Sequence, residues 1–244
     1  MNIELEAPKM ATTLCRDCGT SMIYETIPLF GQDLALLLSL RCDDCAKAME
    51  EQAAAEAAAK QAAEREAYVD RSIPPDMRET YEDHADFNRA LWEAVKRWRP
   101  SRDEFWLGII GPAGICKTRC MALLAMKAMR AGIRATWTTA NRLLDASTER
   151  KSGDRQLATL AREHLSDCLH APWLFIDDLG KNEWPAAFES QFFQILDHRK
   201  NHRMPIVYSS NAHPDQFSLV LSDLNREPII GRLKDRTTLI HMRR

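Results

Sequence analysis

Residues 105–118 read Phe105-Trp106-Leu107-Gly108-Ile109-Ile110-Gly111-Pro112-Ala113-Gly114-Ile115-Cys116-Lys117-Thr118. The uncharged, mostly apolar run from Phe105 to Ile110 predicts a buried strand. Gly111 and Gly114 then open a loop, and a helix is predicted from about Lys117 to Arg130, closed by Gly132. A strand that runs through such a loop into a helix cradles phosphate, because the glycines let backbone N–H groups turn inward. Lys117 can reach the outer phosphates and the Thr118 hydroxyl can bind Mg²⁺. The ligand class is therefore ATP or GTP, and the candidate binding set is Gly111, Pro112, Ala113, Gly114, Ile115, Cys116, Lys117, Thr118 and Arg119. One position departs from the pattern Gly-x-x-x-x-Gly-Lys-[Ser/Thr], which asks for glycine where Cys116 stands. A Cβ there crowds the phosphates without removing N–H donors, so binding is expected and the rate of turnover is what Cys116 puts in question.

From Ser72 to Arg244 strand and helix patterns alternate. Strands are predicted at Phe105–Ile110, Arg134–Thr138, Trp173–Ile176, Ile206–Ser209 and Thr238–Met242, with helical segments near Thr139–Ser147, Asp154–His170 and Pro185–Lys200. That alternation specifies an α/β fold, a parallel sheet flanked by helices. Ligands of such sheets bind beyond the carboxyl ends of the strands. Asp177 follows four apolar residues and is expected at a strand end beside the phosphate loop, where it can hold Mg²⁺ through water while Thr118 ligates it directly. Asp178 is placed to orient or polarise an attacking water. Asn211 ends the Ser209-Ser210-Asn211 segment and either holds that water near the γ-phosphate or caps the turn before His213-Pro214.

The first residues have a different character. Cys15-x-x-Cys18-Gly19 and Cys42-x-x-Cys45 have the spacing of a Cys₄ zinc ribbon, with Gly19 suited to the tight knuckle. A hairpin of Ser21–Leu29 and Leu34–Arg41, turning near Gly31-Gln32, is expected between them. So small a module cannot make an adequate apolar core, and Zn²⁺ would supply its folding energy. Lys47–Asp70 is rich in Ala, Glu, Lys and Gln and contains no Gly or Pro, which predicts one long solvated helix without a heptad. The expected domains are a zinc ribbon at 10–46, a helical linker at 47–71 and an ATPase domain at 72–244.

The whole chain sets bounds on this reading. Its 244 residues carry a formal net charge of −2, which neither favours nor excludes a nucleic-acid partner. The longest apolar run, Leu34–Leu40, is too short to span a bilayer, and Met1–Met10 holds no signal sequence. A cytoplasmic protein with no membrane partner is expected, its seven cysteines reduced.

Taken together, the phosphate loop, Leu174-Phe175-Ile176-Asp177-Asp178-Leu179-Gly180, the stretch from Arg199 through Pro205-Ile206-Val207-Tyr208-Ser209-Ser210-Asn211, and Gly231-Arg232-Leu233 resemble the AAA+ ATPases of the DnaC/IstB group. The resemblance covers roughly residues 73–242, beginning at Ile73-Pro74-Pro75. It implies an AAA+ P-loop domain without a helical lid, since the sequence stops just after its last strand. It makes Asp177 and Asp178 the Walker B pair, Asn211 the sensor 1 residue, and Arg232 an arginine finger acting across a subunit interface; Lys117 completes the catalytic set. It also implies oligomerisation on ATP, single-stranded DNA binding with Arg142, Arg150, Lys151 and Arg155 as candidate phosphate contacts, and delivery of a hexameric replicative helicase. Trp137 and Trp173, beside strand ends, are expected in the core rather than as base-stacking platforms. Two other functions fit the same residues: an IstB-like transposition helper ATPase, or a nucleotide-binding adaptor without turnover. The Cys₄ ribbon is not universal in the group and favours the loader.

Overall fold

The computed structural model describes residues 9–26, 28–29, 32–33, 40–84, 87–180, 184–219, 221–223 and 225–242. By internal packing the chain forms two units, Met1–Ala63 and Glu64–Arg244.

In the smaller unit β1 (Met10–Leu14) pairs antiparallel with β2 (Ser21–Glu25), from Met10↔Glu25 to Leu14↔Ser21. The turn between them is the first cysteine pair, with Gly19 at φ 73°. The expected hairpin is thus corrected: Ser21–Glu25 pairs back onto the residues before Cys15, because a tight knuckle closes a short loop at small entropic cost. Near Gly31-Gln32 the pairing is short, β3 (Pro28–Leu29) with β4 (Gln32–Asp33); residues 34–39 lie outside the described residues. Helix α1 (Asp43–Ser72) exceeds the expected span at both ends. Asp43 and Asp44 in its first turn complement the helix dipole. Val69 is its one buried residue, as a solvated, Ala-rich composition requires.

In the larger unit β5 (Trp106–Ile110), β6 (Ala135–Thr139), β7 (Trp173–Leu179), β8 (Ile206–Ser210) and β9 (Thr237–His241) form one parallel sheet in the order β6-β7-β8-β5-β9. Its helices are α2 (Pro75–Arg78), α3 (Arg89–Arg97), α4 (Lys117–Arg130), α5 (Ala140–Glu149), α6 (Arg155–His170), α7 (Ala186–Asn201) and α8 (Arg226–Lys234). Successive strand residues face opposite layers. Trp106, Ile176 and Tyr208 pack with Phe188, Phe192 and Ile195 of α7, whereas Leu107, Phe175 and Val207 pack with Met121 and Met126 of α4 and Trp92 of α3. The continuous apolar runs follow from burial on both faces. Helix α3, unforeseen in the sequence, is capped by the Asn88 side chain and buries Leu91, Trp92 and Val95 at helical spacing. Trp137 and Trp173 both stack on Phe175, in keeping with core roles.

Two polar devices hold this unit. The Tyr68 hydroxyl donates to Ala135 O at 2.8 Å and accepts from Ala135 N at 3.0 Å, taking the place of a further strand beside the edge strand β6. Arg199, fully buried, donates to Cys168 O at 3.1 Å, Ala171 O at 2.9 Å and Pro205 O at 2.7 Å. It ties the last carbonyls of α6 to the entry of β8, and burial pulls its guanidinium down to about 9. Among the described residues no helix is long and apolar enough to cross a membrane.

Candidate functional site

The loop after β5 is tight enough to require its glycines. A Cβ on Gly111 would lie 2.6 Å from both Ile115 Cδ1 and Met242 O, and Gly114 takes φ 84°. Cys116 occupies the left-handed region too, at φ 67° and ψ 25°, immediately before α4. That conformation is the reason the pattern asks for glycine: an L side chain there costs roughly 1–2 kcal/mol. The loop keeps its shape around cysteine, so the expected difficulty at this position is backbone strain as well as crowding.

Lys117 turns back into the loop. Its Nζ donates to Gly111 O, Pro112 O and Asn211 Oδ1, each at 2.8 Å. Burial lowers its pKa, opposed by the charges of Asp178 and Asp177. Thr118 Oγ1 donates to Asp177 Oδ1 at 3.0 Å, and Ser209 Oγ donates to the same oxygen. Burial raises the Asp177 carboxyl, and the Ser209 and Thr118 hydroxyls partly offset this. A hydroxyl beside a carboxylate is a hard-oxygen donor set, so Thr118 and Asp177 fit Mg²⁺.

The aspartates are not at the strand end. Strand β7 runs on to Leu179, and its register against β8 passes from Ile176↔Tyr208 to Leu179↔Ser210. Two residues, Asp177 and Asp178, therefore face one, Ser209. Asp178 sits at φ 56° and its N–H donates to Ser209 Oγ at 3.1 Å.

These elements meet around a cavity of about 480 Å³ lined by Ala113, Gly114, Cys116, Lys117, Thr118, Arg119, Asp178 and Asn211. Met77 of α2 supplies an apolar wall that the sequence reading missed; its position two residues after Pro74-Pro75 was the available signal. Arg232 is not brought to this cavity. Its Nε and Nη2 donate to Asp197 Oδ1 of α7 at 3.1 and 2.8 Å, and its guanidinium lies 5.5 Å from the Phe193 ring centre. Of the candidate DNA contacts, Arg142 pairs with Glu149 at 2.6 Å and Arg150 donates to Gln191, while Lys151 and Arg155 are exposed.

In the smaller unit the sulfurs of Cys15, Cys18, Cys42 and Cys45 all lie within 4.8 Å of one another. A tetrahedral Zn²⁺ with bonds of about 2.3 Å sets its sulfurs about 3.8 Å apart, so the four fit that ion. The second pair stands at the start of α1 rather than on a second knuckle, with Cys42 before the helix and Cys45 in its first turn. Backbone N–H groups, that of Cys42 foremost, pull the Cys15 thiol down, while hydrogen bonding to the neighbouring sulfurs, that of Cys18 foremost, pushes the Cys45 thiol up.

The model of the family described as IstB-like ATP binding protein matches residues 101–242. No curated protein matches the chain. Among solved structures it is similar to DnaI, with a TM-score of 0.54 and 22% identity over 69% of this chain and 90% of that one. It is also similar to a DNA replication initiation factor, with a TM-score of 0.53 and 18% identity over 70% of this chain and 50% of that one. A third match is the replication initiator DnaA bound to AMPPCP and single-stranded DNA, with a TM-score of 0.52 and 18% identity over 70% of this chain and 51% of that one. The chain thus spans half the length of that initiation factor. At these identities the likeness establishes the AAA+ fold.

Proposed function

This chain belongs to the IstB-like family of ATP-binding proteins, AAA+ P-loop ATPases, and on that premise we propose that it is an ATP-driven loader of a replicative helicase. The observation that carries the ATPase reading is the junction of Lys117, Thr118, Asp177 and Asn211, joined by hydrogen bonds at 2.8 and 3.0 Å beside one cavity. In this reading the loop from Gly111 to Arg119 holds the phosphates through backbone N–H groups and Lys117 neutralises the outer ones. Thr118 and Asp177 would hold Mg²⁺, which would supply positive charge against the phosphates. Asp178 and Asn211 orient the attacking water. Arg232, tied to Asp197 within its own chain, serves a neighbouring subunit's nucleotide once oligomerisation releases it.

The organisation that goes with this function is a zinc module at 10–46, a helical spacer at 47–71 and the ATPase domain at 72–244. The zinc module would grip the helicase, and Lys151 and Arg155, the two exposed basic candidates, would meet single-stranded DNA through its phosphates. The four-cysteine module favours a loader over a transposition helper, whose core would be the same.

The test is ATP hydrolysis by the full chain with and without single-stranded DNA, beside Lys117→Ala and Arg232→Ala. Turnover that needs Lys117, responds to DNA and is lost in Arg232→Ala with ATP binding kept supports the reading. Tight ATP binding without turnover overturns it in favour of an adaptor. Capture of a transposase rather than a hexameric helicase overturns the loader assignment.

A further inference from the structure

Consecutive residues of a strand point to opposite faces of a sheet, so a regular β7 would send only one of Asp177 and Asp178 toward the nucleotide cavity. The register breaks at that point: the two aspartates share one facing residue, Ser209, and Asp178 takes a left-handed backbone at φ 56°. A bulge of this kind re-aims a side chain at the cost of a ladder hydrogen bond.

We propose that Ser209 is a positioning residue for ATP hydrolysis, its hydroxyl holding the bulge that turns both carboxylates toward the nucleotide. The inference rests on the ATPase reading above. Ser209 is fully buried on β8. Its Oγ accepts the Asp178 N–H at 3.1 Å, where the register shifts. A serine hydroxyl has one proton to give, and Ser209 gives it to Asp177 Oδ1. One oxygen atom therefore fixes the main chain of one aspartate and the side chain of the other. Through Asp177 the chain of hydrogen bonds continues to Thr118 Oγ1 at 3.0 Å, in the first turn of α4 after the phosphate loop. The adjacent buried hydroxyl, Ser210 Oγ, donates instead to the main chain at Leu179 O, 2.7 Å away, beyond the bulge. The two serines thus secure the bulge at its centre and at its end, and of the two it is Ser209 that reaches a carboxylate, that of Asp177.

The experiment uses the full chain as wild type, Ser209→Ala and Ser209→Thr. Affinity for a fluorescent ATP analogue is measured without and with Mg²⁺, together with kcat. Ser209→Ala is expected to bind the analogue without Mg²⁺ within about twofold of wild type, to lose the extra affinity that Mg²⁺ confers, and to fall about 10–100-fold in kcat. Ser209→Thr keeps the hydroxyl and is expected to recover kcat to within about threefold. A merely structural serine would lower the melting temperature without separating Mg²⁺-dependent from Mg²⁺-independent binding. If the alanine variant does not fold, Ser209→Cys, which keeps the volume and weakens the donor, carries the same expectations. Wild-type kcat and Mg²⁺ dependence in the variant, with Lys117→Ala inactive, overturn the role of Ser209 and leave the ATPase reading standing. Absence of turnover in wild type overturns the ATPase reading; the Mg²⁺-dependent affinity then decides Ser209, and equal tightening in both proteins overturns it.

Discussion

Lys117 Nζ donates to Asn211 Oδ1 at 2.8 Å, joining the phosphate loop after β5 to the end of the neighbouring strand β8. The amide proposed above to orient the attacking water thus also holds the lysine proposed to neutralise the outer phosphates. Asn211→Ala is therefore expected to keep ATP binding within about threefold, because Lys117 retains two loop carbonyls, while kcat falls about 10–100-fold. Equilibrium nucleotide binding beside steady-state kinetics checks this; equal losses in both would show that the amide serves only to build the loop.

Cys116 holds a glycine conformation with a side chain. Cys116→Gly removes that strain and is expected to stabilise the protein by about 1 kcal/mol, less glycine's greater entropy loss on folding. The same change relieves crowding at the phosphates and should raise kcat. Urea denaturation and kinetics on one preparation read both effects, and a destabilised, unaccelerated variant would contradict this account.

Glu189 is fully buried in α7, accepting the Ser222 N–H at 2.6 Å, the Ser222 hydroxyl and the Asn225 amide at 3.0 Å. Burial alone would raise its carboxyl, but these donors outweigh it and hold the group below its ordinary value of 4.5. The sign follows from that direction: the stabilisation is fully present above pH 4.5 and is lost as pH falls below it toward the lower folded-state value. Glu189→Gln is expected to be less stable than wild type at pH 7 and to lose less of its stability on going to pH 4, measured by urea midpoints at the two values. Parallel loss in both proteins would refute the assignment.

The four clustered sulfurs predict one zinc per chain. Because the module has little apolar core, chelation is expected to unfold β1 and β2. Hydrogen exchange resolved by segment should show residues 10–25 losing protection under chelator while β5, β7 and β8 keep theirs. Cys45→Ser should reproduce this without chelator. Protection unchanged at 10–25 would exclude structural zinc.

Much of this was legible in the residues because the information is local. The glycines of the phosphate loop, the Lys117-Thr118 pair, the continuous apolar strands and the Cys-x-x-Cys spacings each state a backbone shape or a donor set within a few positions. Helix α4 falls where composition places it, from Lys117 to Arg130. The failures lie where a choice of partner mattered: Ser21–Glu25 could pair forward or back, and a short knuckle sent it back to Met10–Leu14. Met77 escaped notice because one apolar residue in a four-residue helix has no periodicity to reveal it.

The sequence alone determined that a phosphate-binding loop sits between a buried strand and a helix, that an α/β sheet surrounds it, and that four cysteines have the spacing of a metal-ligand set. Tertiary structure alone decided that Lys117 meets Asn211, 94 positions away, that Asp177 and Asp178 share one side of a bulge opposite Ser209, and that Arg199 and Glu189 of α7 are buried. The reason is physical: loop and helix formation depend on neighbours along the chain, whereas register and burial are set by which strands and helices become neighbours in space.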